Sequence, residues 1–422
     1  MIAQLLYIDP ASTSALLYIL VALFATLIFA LRGFFYKVRN LLLGKGFVNS
    51  KDFANIDIIF YSEGKQYWPV FLPVIRALEN KGVPSVYLTS DENDPGLEYQ
   101  SEHYESKYTG NLTMTSVYLN RLKAKFVAMT TPQLDVMMLR RSKKVQHYGH
   151  IIHAPIDIFT YRKFAFDYYD SVFCSGPHQI EGIRKLEEKR GTNKKLLLET
   201  GLTYYDVMLD EVKNMPLPEK KKPVVMVAPT WKEYSIINRF GTGFFDSLLK
   251  DSAYDVILRP HPQSYVSFPK LMDEIEEHLK DEPRVTIDRR QLGTESMAAS
   301  DLMISDLSGV FWDYAFLYSK PVLLLKTEFD TIEGFEGSEL DHEMWEMRER
   351  DRLGREFNAH EIDNISQLVN EMLKDPPSRQ LEELKRESVY NFGQAGEVAA
   401  RQIIDIVSNH TEPGGSEQEI IN

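Results

Sequence analysis

Short apolar runs separated by amphipathic or turn sequence recur along the chain, and this alternation limits its fold more than any other feature. Residues 56–61 (IDIIFY) read as a strand, 69–80 as a helix stopped near Gly82, and 84–90 (PSVYLTS) as the next strand. After the proline-rich break NMPLPEKKKP at 214–223 the alternation restarts, with VVMVA from 224, YDVIL from 254, RVTI from 284, DLMIS from 301 and PVLLL from 321. Strands spaced in this way favour parallel sheets covered on both faces. The break therefore reads as a linker between two similar α/β units, an N-terminal one over 53–213 and a C-terminal one with its trailing helices over 223–408. A chain of 422 residues, 44% of them hydrophobic, has enough material for two cores.

The N-terminus is different. From Ala15 to Leu31 the run ALLYILVALFATLIFAL holds 17 residues without a charge and is apolar on every face. With its flanks it approaches the roughly 20 residues that a helix needs to cross a bilayer. Residues 15–36 are expected to form a transmembrane anchor, preceded by a short extracytoplasmic segment (1–14) and followed by a basic juxtamembrane linker (37–52). No cation precedes the run, whereas Arg32, Lys37, Arg39 and Lys45 follow it. That bias argues against a cleaved signal peptide and predicts a single-pass protein of the inner or plasma membrane, its catalytic domains cytoplasmic. The polar tail at 409–422 has no periodicity and is expected to be disordered.

Composition removes several functions. The formal charge of -13 argues against a nucleic-acid partner, and the cluster Arg140, Arg141, Lys143 and Lys144 reads as a solvated face. The single cysteine, Cys174, cannot form an internal disulfide, and no paired Cys/His spacing suggests a zinc site. No cofactor or metal is implied.

Ligands of open parallel sheets bind outside the carboxyl ends of the strands, and the unusual motifs sit there. VVMVAPTWKE places Thr230 and Trp231 after one strand, DVILRPHPQS places Arg259 and His261 after another, and DLMISDLSGVFWDYAF places Ser305, Asp306, Ser308 and Gly309 after a third. The three should converge on one crevice. In the third, the first turn of a helix from Val310 leaves N–H groups unpaired. With the Ser305 and Ser308 hydroxyls and the close approach allowed by Gly309, these suit a phosphate. Asp306 or Ser308 could instead cap that helix. Neither a P-loop nor a dinucleotide fingerprint is present.

In the N-terminal unit, VQHYGHIIHAP puts His147, His150 and His153 at every third position. On a strand entering a loop, His147 and His153 share one face and His150 takes the other, which disfavours a metal cluster. One of them suits a general base. His153, at the strand end, is the first candidate and His150 the second.

Together VAPTWKE, RPHP and SDLSGVFWDYAFLYSKPVLLL resemble the CDP-glycerol glycerophosphotransferase family of teichoic-acid-type polymer synthesis, with two Rossmann-like domains in a GT-B arrangement. FDYYDSVFCSGPHQIEGI from Phe166 and TGLTYYDVM from Thr200 are similar to that family's junction between domains. The resemblance implies a membrane-anchored transferase that moves glycerol phosphate, or a related polyol phosphate, from a CDP-activated donor to a hydroxyl of a cell-surface glycan or lipid-linked acceptor, releasing CMP. It also implies that His261 and the Ser305–Gly309 turn bind the diphosphate, and that an N-terminal histidine activates the acceptor. Two alternatives are a GT-B nucleotide-sugar glycosyltransferase of surface polysaccharide synthesis and a non-catalytic, membrane-tethered assembly protein.

Overall fold

The computed structural model describes residues 56–215, 220–250, 253–290, 293–327, 332–376 and 378–409. The expected anchor at 15–36, its flanks at 1–14 and 37–52, and the tail beyond Asn409 lie outside them. Among the described residues, no helix is long and apolar enough to cross a membrane.

Two parallel sheets organise the chain. The first holds β1 (Ile58–Ser62), β2 (Ser85–Thr89), β3 (Tyr104–Tyr108), β4 (Ala124–Met129), β5 (Val145–Ile151), β6 (Ser171–Cys174) and β7 (Leu196–Glu199), in the order β3-β2-β1-β4-β5-β6-β7. The second holds β8 (Val224–Val227), β9 (Asp255–Leu258), β10 (Val285–Ile287), β11 (Leu302–Ser305), β12 (Val322–Leu325) and β13 (Gly354–Phe357), in the order β10-β9-β8-β11-β12-β13. Each order reverses once, between β1 and β4 and between β8 and β11. These are the topological switch points where doubly wound sheets open a crevice. The apolar runs read from the sequence become strands buried on both faces: every residue of β1, β2, β11 and β12 is buried. The arrangement is an α/β fold of two parallel sheets, consistent with a GT-B-like pair of domains.

The helix Trp68–Glu79 is buried on almost every side, from Trp68 and Val70 through Leu78. One partner is the first sheet, through Phe60 and Tyr87; the other is the helix Ala395–Asn409, through Ala399, Ala400 and Ile403. Helix and helix meet closely because Gly396 has no side chain: a Cβ there would sit 2.4 Å from Cβ of Pro73. Asp206 caps this last helix, accepting the Gly396 N–H at 2.8 Å. Sequence continuity groups 395–408 with the C-terminal unit, but packing assigns the helix to the first sheet.

The halves meet in a polar and aromatic seam. Asp157 accepts the Trp345 N–H at 3.0 Å, and the Asp157 N–H donates to Glu346 at 3.0 Å. Arg190 pairs with Glu336, with Glu339 at 2.8 Å and with Asp167 at 2.7 Å. Tyr205 donates to Asp313 at 3.0 Å. The TGLTYYDVM segment thus joins both halves, as its family likeness implies: Tyr205 reaches the second domain and Asp206 the returning helix.

Candidate active site

In the second domain the motifs end on three adjacent strands, β9, β8 and β11. His261 follows β9 and caps the helix Pro262–Ser267, its Nδ1 accepting the Gln263 N–H at 3.1 Å. Pro262 suits the first helical position because it has no N–H to lose. With Nδ1 committed as acceptor, the neutral imidazole carries its proton on Nε2. Partial burial lowers the pKa of His261, which favours that neutral donor form. The Trp231 ring, half-buried after β8, lies 6.5 Å from the His261 ring, and the Lys232 ammonium stands 3.8 Å over Trp231.

Past β11 the helix Val310–Tyr318 starts at Gly309 with no side-chain cap. Gly309 is exposed, and a Cβ added to it would meet nothing. Its φ of -63° is ordinary for any residue, so neither packing nor strain calls for glycine. An uncapped helix start presents N–H groups and the positive end of the helix dipole, the pattern that binds phosphate. Ser308 sits half-buried beside it.

Three of the candidates turn inward instead. Ser305 Oγ donates to the Ala228 carbonyl at 2.7 Å. The Asp306 carboxylate accepts the Thr230 N–H at 2.7 Å and the Ile236 N–H at 3.0 Å. It thus caps the helix Ile236–Leu249 rather than the one that follows it, and burial lifts its pKa to about 6. The Arg259 guanidinium is ion-paired with Asp288 at 2.8 Å. Against desolvation, hydrogen bonds from Arg290 and Ser296 and the Arg259 charge hold the Asp288 carboxyl well below its usual range. Ser305, Asp306 and Arg259 therefore support the strand ends from within, and Thr230, expected to face the donor, is buried with its N–H held by Asp306, while His261 and Gly309 are exposed and Ser308 is half-buried.

In the first domain β5 carries His147 and His150, and His153 follows it. Gly149 is obligatory, because a Cβ would lie 2.7 Å from the Phe126 ring. His147 binds Ser171 Oγ at 2.9 Å and stacks on Phe126. His150 is fully buried among Tyr161, Phe166 and Tyr169, and desolvation drives its pKa to about 3. His153 stands just past the strand end, edge-on to Tyr67 with ring centroids 4.9 Å apart. Desolvation lowers its pKa to about 4. Of the three, His153 combines a neutral ring with partial access, the state a general base requires.

Sequence reading missed Glu63 and Tyr67, which follow β1 at the same carboxyl edge. The strand-end rule applied to IDIIFYS would have found them. Burial raises the Glu63 pKa.

Residues 161–347 match the family described as CDP-Glycerol:Poly(glycerophosphate) glycerophosphotransferase. The chain is a CDP-glycerol glycerophosphotransferase-like transferase. Its fold resembles that of the wall teichoic acid polymerase TagF at 16% identity and TM-score 0.58, over 92% of this chain and 99% of that one. It also resembles a putative UDP-N-acetylglucosamine 2-epimerase from Listeria monocytogenes (14% identity, TM-score 0.58, 87% of this chain and 100% of that one). A UDP-GlcNAc 2-epimerase from Neisseria meningitidis, bound to UDP-GlcNAc, has the fold too (13% identity, TM-score 0.52, 83% and 100%). No curated protein sequence matches the chain. The matched stretch of this glycerophosphotransferase-like chain begins beyond His153 and Asp157, so it covers most of the seam and the strand-end motifs of the second domain but not the histidine segment.

Proposed function

We propose that this transferase moves glycerol phosphate, or a related polyol phosphate, from a CDP-activated donor to a hydroxyl of a cell-surface glycan or a lipid-linked acceptor, and that 15–36 anchors it in the membrane with its catalytic domains cytoplasmic. The acceptor oxygen attacks the polyol-bearing phosphorus, the bond from that phosphorus to the bridging oxygen breaks, and CMP leaves with the bridging oxygen. The His153 imidazole takes the proton of the attacking hydroxyl. Charge gathers on the departing phosphate, where His261 Nε2–H and the open N–H groups at 309–310 donate. Such a site works by positioning and by preorganised donors rather than by covalent chemistry.

This reading rests above all on His261, whose Nδ1 is taken by the Gln263 N–H so that Nε2 is left as the donor, at the end of a strand one removed from the one that leads into an uncapped helix start. The deciding test is nucleotide release by the full chain from a panel of activated donors. CMP released from CDP-glycerol or another CDP-polyol, in step with phosphodiester formation, is the expected result. Turnover only of UDP- or CMP-sugars would replace the reading with a glycosyltransferase. The anchor is tested by protease protection in intact cells: a tag after Asn422 should be protected and one before Met1 accessible, and the reverse pattern removes the cytoplasmic assignment.

A further inference from the structure

The mouth of the first sheet holds more polar groups than proton removal needs. β1, β4 and β5 are neighbours, with Tyr61 opposite Met129 and Met129 opposite His150. The next residues of each strand, through Glu63, Thr131 and His153, therefore leave the sheet side by side at its switch point. Within the chain, Thr130 Oγ1, Thr131 Oγ1, both ring nitrogens of His150 and Nδ1 of His153 are buried and make no well-formed hydrogen bond; the Thr131 hydroxyl is in reach of the Glu63 carboxyl alone, and the His150 ring in reach of the Thr131 backbone. Native proteins seldom leave such atoms unpaired, because each forfeits its hydration for nothing. Those of Thr130, Thr131 and His153 lie at one carboxyl edge, where the hydroxyls of a ligand can complete them, while His150 is enclosed by its aromatic neighbours.

Glu63 is the charged member of the group. Its carboxyl lies beside the Thr131 hydroxyl and acts electrostatically on Tyr67, Tyr61 and Tyr169. Tyr67 packs on His153 and Tyr169 on His150, the latter with ring centroids 5.0 Å apart. Tyr169 also donates its phenol proton to the Thr131 carbonyl. The carboxylate thus belongs to the same mouth as both histidines, and no cation is ion-paired with it among the described residues. An acceptor-only group of this kind is satisfied by hydroxyl donors.

We propose that Glu63 and Thr131 form, with His153, a subsite for a vicinal diol at the end of the acceptor. His153 faces the attacking hydroxyl, Glu63 accepts a hydrogen bond from the neighbouring hydroxyl, and Thr131 Oγ1 donates to that same oxygen. Glu63 is then a positioning and specificity residue, which selects polyol termini over lone alcohols and fixes which hydroxyl reacts. The inference rests on the transferase reading above.

The test compares two acceptors: a short oligo(glycerol phosphate) ending in a free vicinal diol, and the same oligomer ending in 1,3-propanediol phosphate, which lacks the neighbouring hydroxyl. The wild type should prefer the diol by at least about 100-fold in kcat/KM, since a site built to hold a hydroxyl strongly rejects an analogue without one. Glu63→Gln and Thr131→Val should each cut that ratio by about 10-fold or more, while thermal unfolding shows that both remain folded. An unchanged ratio in both variants, or equal loss on both acceptors, overturns the proposal, because a merely structural role moves the two acceptors together. Equilibrium binding of the same oligomers without donor separates the two readings. If no CDP-polyol turns over, the diol must still bind the wild type at least about 10-fold tighter than the propanediol form and lose that margin in Glu63→Gln, or the subsite is wrong as well.

Discussion

His178 lies face to face with Trp345 across the seam, ring centroids 4.1 Å apart and planes 11° from parallel. On its other side Trp345 stacks on Trp312 at 4.4 Å. The column runs from the helix Pro177–Arg190, which follows β6, to the helix Val310–Tyr318, which follows β11. Trp345→Ala should therefore cost about 3–5 kcal/mol, the range for deleting a large buried aromatic. The unfolding midpoint in urea would show it; a loss below about 1 kcal/mol would mean the column contributes little to holding the halves together.

Beside that column, Glu346 is buried against Asp157, and desolvation followed by the Asp157 charge raises its pKa to about 8. A carboxyl raised in the folded state keeps a proton that the unfolded chain has released. Its contribution is complete below the ordinary value near 4.5 and is lost as pH rises through about 8. The melting temperature of the wild type should fall more steeply between pH 5 and 9 than that of Glu346→Gln, which cannot ionise. Parallel curves would place the titration elsewhere.

His261 caps its helix, and the proposed reading gives it a second task that substitutions can separate from the first. Asparagine can keep the helix cap through its side-chain oxygen but lacks the Nε2 donor; alanine loses both. Turnover should drop about 100-fold or more in either variant, while only His261→Ala should lose about 1 kcal/mol of stability. Full turnover in His261→Asn would confine this histidine to capping.

At Gly309 the free structure offers room for a side chain that a docked phosphate would not. Gly309→Val should leave the melting temperature nearly unchanged yet raise the KM for donor about 10-fold or more, because binding is lost without altering the chemical step. Ser308→Ala should move the same constant less. An unaltered donor KM in Gly309→Val would exclude a close backbone approach there.

His153, its pKa lowered to about 4 by burial, is already neutral at pH 5. The acid limb of kcat/KM for the acceptor should fall below the ordinary histidine value of 6.5 rather than at it. His153→Ala should depress kcat and spare donor binding. If His153→Ala and His150→Ala both keep full transfer at saturating acceptor, the base lies elsewhere.

Much of this was visible in the sequence, for a physical reason. Strands of a doubly covered parallel sheet must be apolar throughout, so VVMV, LMIS and VLLL announce themselves, and the strand-end rule then places Thr230, His261 and Ser308 at a common edge. Which side chains face a ligand was not legible. Asp306 caps a helix 70 residues earlier in the chain, and Arg259 is held by Asp288, just past the end of the neighbouring strand β10. Neither partnership leaves a local trace. The same holds for Trp345, whose neighbours His178 and Trp312 are remote in sequence, and for β13, whose four residues GREF show no apolar run.

The returning helix Ala395–Asn409 has a consequence for biosynthesis. Helix Trp68–Glu79, made early, keeps one apolar face bare until Ala399, Ala400 and Ile403 emerge from the ribosome. Domains normally fold in order as they are synthesised, but here the first must wait for the last. A message truncated anywhere before codon 395 therefore yields a first lobe with an open greasy flank, a substrate for chaperones and proteases rather than a stable fragment.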